Sequence, residues 1–224
     1  MAEIEDYSPM VIGLKLRPDI PFDIIIRKMR GILKDNGFKV QNEVEEPEKA
    51  QQAGFQINFG PPIESIGTKN NVEVNLNLQS QSVNIVGETP EDVMPIFEEV
   101  YGLLPELNYD IDELIPFYEL FANVGIVTSA TVLNVLTESI SNLNLDPLKD
   151  EINPDLSVVG IRIGSMKMNL VNKDNLEIVI EPKKGSHSHR YLVGLRYQTR
   201  NKDNLINFDL KAESINLISS LEGE

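Results

Sequence analysis

The sequence predicts an α+β protein: two tandem β-α-β(4)-α repeats that form an open antiparallel sheet with helices on one face. Three observations carry this. Short runs of alternating apolar and polar residues recur along the chain, separated by turn residues. Amphipathic stretches with helical spacing stand between them. And two stretches, one in each half, align without a gap at an offset of 104 residues, which also maps the first helix of one half onto that of the other.

The first strand is "MVIGLKL", Met10 to Leu16. A helix begins near Pro21, with Phe22, Ile25, Ile26, Met29 and Leu33 on one stripe and Asn36-Gly37 as its stop. Strands are expected near 38–44, 53–59, 72–78 and 82–86. A second helix follows Thr89, which precedes Pro90 and two acids and suits the N-cap. Pro95 removes a helical donor there and predicts a kink or a later start. This repeat covers residues 1–104. An acidic connector, "PELNYDIDEL", covers 105–114.

The second repeat, 115–224, follows the same order and is expected to pack with the first as one globular unit. It opens with the strand "IPFYELF" (115–121) and a helix from about Ser129, capped by Thr128 or Ser129. A brief "NLNL" before Pro147 takes the place of strand 38–44. Further strands within 159–181 and at "RYLVGLRYQ" follow, then a helix from about Asp203 to Leu221, although Ile206, Phe208 and Leu210 also alternate as a strand would. The alignment rests on "FQINFGPPIESIGTKNNVEVNLN" (55–77) and "VGIRIGSMKMNLVNKDNLEIVIE" (159–181), each with an asparagine eleven positions after a glycine. Consecutive strands joined by short turns favour antiparallel pairing.

Tandem β-α-β(4)-α units resemble the TATA-box-binding-protein fold in element order over nearly the whole chain. The resemblance implies one curved sheet with a concave face open to ligands. None of that family's sequence motifs is present. The paired phenylalanines with which its DNA-binding members wedge bases apart have no equivalents here, so no functional residue is carried over.

Composition narrows the function. The formal net charge is −15, and residues 1–112 alone carry 20 acidic and 9 basic side chains. Such a surface repels nucleic acid, whose generic affinity comes from Lys and Arg neutralising phosphates. The chain has no cysteine, which removes disulfides, thiolate nucleophiles and Cys-ligated zinc and fits a cytoplasmic location. No apolar run approaches a membrane span, and the acidic N-terminus lacks the features of a secretory signal. No serine-hydrolase elbow, zinc-protease motif or dinucleotide-binding glycine pattern occurs, so the chain reads as a non-enzyme without a cofactor.

Three surfaces remain as candidates. If Val72, Val74, Leu76 and Leu78 face the helices, then Glu73, Asn75, Asn77 and Gln79 lie on the opposite face, joined by Gln56 and Asn58. The second repeat offers Arg162, Glu177, Glu181, Arg196 and Gln198 by the same parity. Such alternation also describes any solvated sheet face, and that reading outweighs a binding surface. The only two histidines, His187 and His189, project to one side of a strand and permit joint metal ligation, yet a loop pair without a role is favoured. Residues 182–202 hold Lys183, Lys184, Arg190, Arg196, Arg200 and Lys202 with no acid among them. A solvated hairpin balancing the acidic half is favoured over a docking patch.

Together these features predict a binding or assembly protein that acts through protein–protein contacts, with a protein partner or its own copies. The alternative is a nucleic-acid-associated module using the basic hairpin 183–202 and the polar sheet face. No membrane association is expected.

Overall fold

In the computed structural model, which describes residues 2–7, 9–40, 63–139, 160–164, 174–183 and 189–223, the chain is α+β. Nine strands and six α-helices occur among these residues, and every strand pair with a defined register is antiparallel. The chain divides into two compact units. An N-terminal unit comprises Met10–Glu119 with Arg200–Lys202. A C-terminal unit comprises Met1–Pro9, Leu120–Thr199 and Asp203–Glu224.

The N-terminal unit contains β2 (Met10–Lys15), α1 (Phe22–Asp35), β3 (Ile63–Lys69), β4 (Val72–Asn77), β5 (Ser82–Gly87) and α2 (Pro90–Leu103), with strands in the order β3-β4-β5-β2. Helix α1 turns its Ile25, Met29 and Leu33 inward. It ends where Asn36-Gly37 predict: Phe38 N–H donates to Leu33 O and Gly37 N–H to Lys34 O, with Gly37 at φ +82°. That left-handed residue closes a Schellman motif and satisfies two terminal carbonyls. Helix α2 is capped by Thr89, whose Oγ1 accepts from Asp92 N–H at 3.3 Å. It starts at Pro90 and runs through Pro95, so the later start does not occur; the Pro95 ring is exposed. Val93, Ile96, Phe97 and Val100 of α2 are buried with Ile12, Leu14, Val72, Val74, Leu76, Val83 and Ile85 of the strands. Each such side chain contributes roughly 1.5–3 kcal/mol by leaving water.

Strand β3 is a departure from the sequence expectation, which placed no strand between 53–59 and 72–78. It pairs with β4 through a turn at Asn70 and Asn71, at φ 51° and 63°. Two left-handed residues between antiparallel strands make a type I′ hairpin, for which asparagine is suited. The expected strands at 53–59 and "NLNL" lie outside the described residues. Of the strand near 38–44, Lys39 forms an isolated bridge with Thr68, and residues 41–44 lie outside them. The connector 105–114 holds a 3-10 turn, Leu104–Leu107, and a short helix α3, Ile111–Leu114, that bury Leu107 and Leu114.

The C-terminal unit contains β1 (Glu3–Tyr7), most of β6 (Phe117–Val127), α4 (Val132–Ser139), β7 (Ile161–Gly164), β8 (Asn175–Pro182), β9 (Arg190–Thr199), nearly all of α5 (Lys202–Ile206), and α6 (Leu210–Glu222). Its strand order is β6-β9-β8-β7, with β1 also paired to β6. Tyr191, Val193, Leu195 and Tyr197 of β9 point to the buried side, where the Tyr197 ring stacks on Phe208 at 4.7 Å. Two helix expectations are corrected here. Helix α4 begins at Val132, with Thr131 O accepting from Asn134 and Val135 N–H, while the Thr128 hydroxyl donates to the Glu222 carboxylate and accepts from Ala130 N–H, short of the helix. The single helix from Asp203 is two helices, since Asp209 caps the second by accepting from Ala212 N–H at 2.9 Å.

Candidate interaction surface

The sheet of the N-terminal unit carries its helices on one face, and the other face is polar. Register builds that face row by row. Ser65 on β3 lies opposite Asn75 on β4, Asn75 opposite Asn84 on β5, and Asn84 opposite Gly13 on β2. Glycine at position 13 leaves room for this row, since a Cβ there would stand 3.1 Å from Asn84 Oδ1. Glu119 follows, 2 % exposed and paired with Lys15 at 3.0 Å. Glu73 is exposed and Asn77 half-buried on the same side of β4, so the sequence parity places them correctly. Leu78 does not follow that parity: it falls beyond the strand and is exposed.

Asn75 distinguishes this row from an ordinary wet sheet face. It is 8 % exposed, and its amide nitrogen donates to Glu73 at 3.2 Å, but its Oδ1 has no partner; neither has the buried Oγ of Ser65. An unsatisfied buried polar atom costs about 1–3 kcal/mol, so two adjacent ones on one row are a chemical demand for a donor. Neither periodicity nor charge reports this burial. The sequence signal was only the asparagine at an outward position.

The corresponding face of the C-terminal unit is more charged. Glu177 on β8 lies opposite Arg196 on β9 and is also paired with Arg162, while Asn175 donates to Gln198 at 3.3 Å. The Arg196 guanidinium lies 5.1 Å from the Phe121 ring, which is 37 % exposed. Glu181 stands opposite Leu192. Here too a glycine faces an amide: a Cβ on Gly194 would stand 3.2 Å from Asn123 Oδ1.

The basic residues are dispersed. Lys183 Nζ pairs with Asp6 at 2.5 Å and Glu5 at 3.3 Å, and Arg190 pairs with Glu5 at 2.8 Å. The Asp6 carboxylate, then burial against it, and then Glu5 leave the Lys183 ammonium above its ordinary value. Lys202 caps the Tyr101 ring at 4.5 Å, and Arg200 is exposed. His189 Nδ1 meets Ala130 O at 2.7 Å, which engages one ring nitrogen in a backbone hydrogen bond. Lys184, His187 and Asn58 lie outside the described residues. Among the described residues, no three His, Cys, Asp or Glu side chains gather as metal ligands, and no helix is long and apolar enough to cross a membrane.

Comparisons with protein-family models, with curated proteins and with solved structures gave no significant match.

Proposed function

We propose that this chain is a non-enzymatic binding or assembly protein of the cytoplasm that engages a protein partner through the polar sheet face of its N-terminal unit. The observation that carries the reading is the unpaired Oδ1 of Asn75 beside the unpaired Oγ of Ser65. Both atoms are closed to solvent in the unbound chain, so the Asn75 side chain turns outward when a partner's donor engages its Oδ1, and that contact recovers the cost of leaving the acceptor unpaired. Among the described residues the N-terminal unit runs β-α-β-β-β-α and the C-terminal unit, apart from β1, runs β-α-β-β-β-α-α, with the last strand of each run beside its first. We read this as a tandem duplication of the kind found in the TATA-box-binding-protein fold, adapted to protein contacts. The acidic balance supports a protein over a nucleic acid, and so does the pairing of Lys183 and Arg190 with Glu5 and Asp6.

Asn75→Val tests the proposal. Valine suits a strand and removes the unpaired acceptor, so stability rises by about 1 kcal/mol while partner binding falls at least tenfold. The tagged wild-type and variant proteins are compared for co-purifying partner and for urea midpoint. A variant that keeps its partner undiminished overturns the proposal. So does wild-type protein that binds oligonucleotides at micromolar affinity in a salt-dependent way.

A further inference from the structure

Strand β1 is held unlike the other strands. Its sequence, Glu-Ile-Glu-Asp-Tyr, leaves Glu3, Glu5 and Asp6 exposed and Ile4 and Tyr7 half-buried. It makes a four-residue ladder to Val124–Val127 of β6, broken by a bulge between Ile4 and Asp6. Charge adds to this, with Asp6 and Glu5 on Lys183 and Glu5 on Arg190, beside the buried Ala2 and contacts with α6. The seat is shaped to receive it. Gly125 of β6 lies beneath the Asp6–Lys183 pair, where an added Cβ would collide with the Asp6 carboxylate and lie 2.9 Å from Lys183 Nζ.

A strand with so little apolar burial opens at low cost compared with the core. Opening uncovers the β6 edge and leaves two cations facing an empty strand position, which invites another strand. The seat is complementary in register, charge and steric relief to one sequence on the page, this chain's own Glu3–Tyr7. Exchange of an identical element between copies keeps every contact and is the least costly route to a dimer. We propose that β1 is an exchangeable strand, and that the β6 seat formed by Gly125, Lys183 and Arg190 takes the Glu3–Tyr7 segment of a second copy.

The chain has no cysteine, which makes the test clean. Glu3 and Val127 are cross-strand partners. Facing residues of an antiparallel pair have Cα atoms about 4.5–5.5 Å apart, within disulfide reach. Full-length Glu3→Cys and Val127→Cys proteins, carrying tags of different size, are mixed at high concentration and oxidised. Neither can close a bond within itself, so a covalent heterodimer reports β1 of one chain on β6 of the other. The expected result is a heterodimer at least fivefold more abundant than that formed by Glu98→Cys with Val127→Cys. Gly125→Val in the Val127→Cys chain should reduce that excess severalfold. Lys183→Met with Arg190→Met, which leaves the strand backbone intact, should cut it severalfold. A yield equal to the Glu98→Cys control, or an excess indifferent to both sets of seat changes, overturns the proposal.

Discussion

At Asp174 one carboxylate oxygen accepts from the Tyr197 hydroxyl at 2.5 Å and from the Asn204 amide at 3.0 Å. Burial acts to raise this carboxyl, but the donors Tyr197, Thr199 and Asn204 outweigh it and hold the group below the usual carboxylate range. The phenol responds in the opposite sense. Burial first, then the Asp174 hydrogen bond, pushes Tyr197 up to about 12. The two shifts set a pH window. A depressed carboxyl contributes stability above its unfolded value of 3.8 that is lost as pH falls through the folded one. A raised phenol contributes stability below its unfolded value of 10.0 that is lost as pH climbs towards about 12. The bond therefore holds undiminished from about pH 4 to pH 10. Asp174→Asn should lower the Tyr197 midpoint without returning it to 10.0, because burial is the larger cause. The Tyr197 ring-carbon NMR shift followed through alkaline pH checks this; an unmoved midpoint would refute the assignment.

Among elements, the hairpin between β3 and β4 depends on its two turn residues. Asn70 and Asn71 both adopt positive φ, a conformation that costs an ordinary L-residue roughly 1–2 kcal/mol and asparagine less. Asn71→Val should therefore destabilise the protein by about 1–2 kcal/mol, and Asn71→Gly should be neutral or slightly stabilising, in urea unfolding. Equal losses from both would mean that the side chain, not the backbone, matters there. Elements with an unbroken period were legible from sequence: the stripe of α1 and the alternation of β4 and β5 needed no tertiary information. Strand β3 was hidden because its bulge between Ser65 and Gly67 interrupts the two-residue period. Strand β1 was hidden because it has few apolar positions to alternate. The break between α5 and α6 had a signal, the capping residue Asp209, but the apolar spacing around it continues as if one helix ran through. The outward face of Asn75 and Asn77 was legible by parity. The burial of Asn75 was not, nor was the pairing of Lys183 with an acid 177 residues away, since both arise only when distant strands meet.

For the whole molecule, charge acts in two opposed ways. With 35 acidic and 20 basic side chains, the folded chain repels itself, and compaction brings those like charges closer than unfolding does. Added salt screens this over a Debye length of about 10 Å at 0.1 M and about 3 Å at 1 M. The urea midpoint should therefore rise between low salt and ~0.5 M NaCl. The attachment of β1 has the opposite dependence. Lys183, Arg190, Glu5 and Asp6 are attracted to one another at positions water can reach, and the same salt weakens them. Amide exchange at Glu3–Tyr7 and on the facing residues Val124–Val127 should accelerate severalfold over the salt range that slows exchange in β4 and β5. A global response alone cannot produce that divergence, because stabilising the whole fold would slow both regions together. Uniform slowing would mean that β1 is held by its ladder and not by its charges, and it would remove the physical reason for strand exchange.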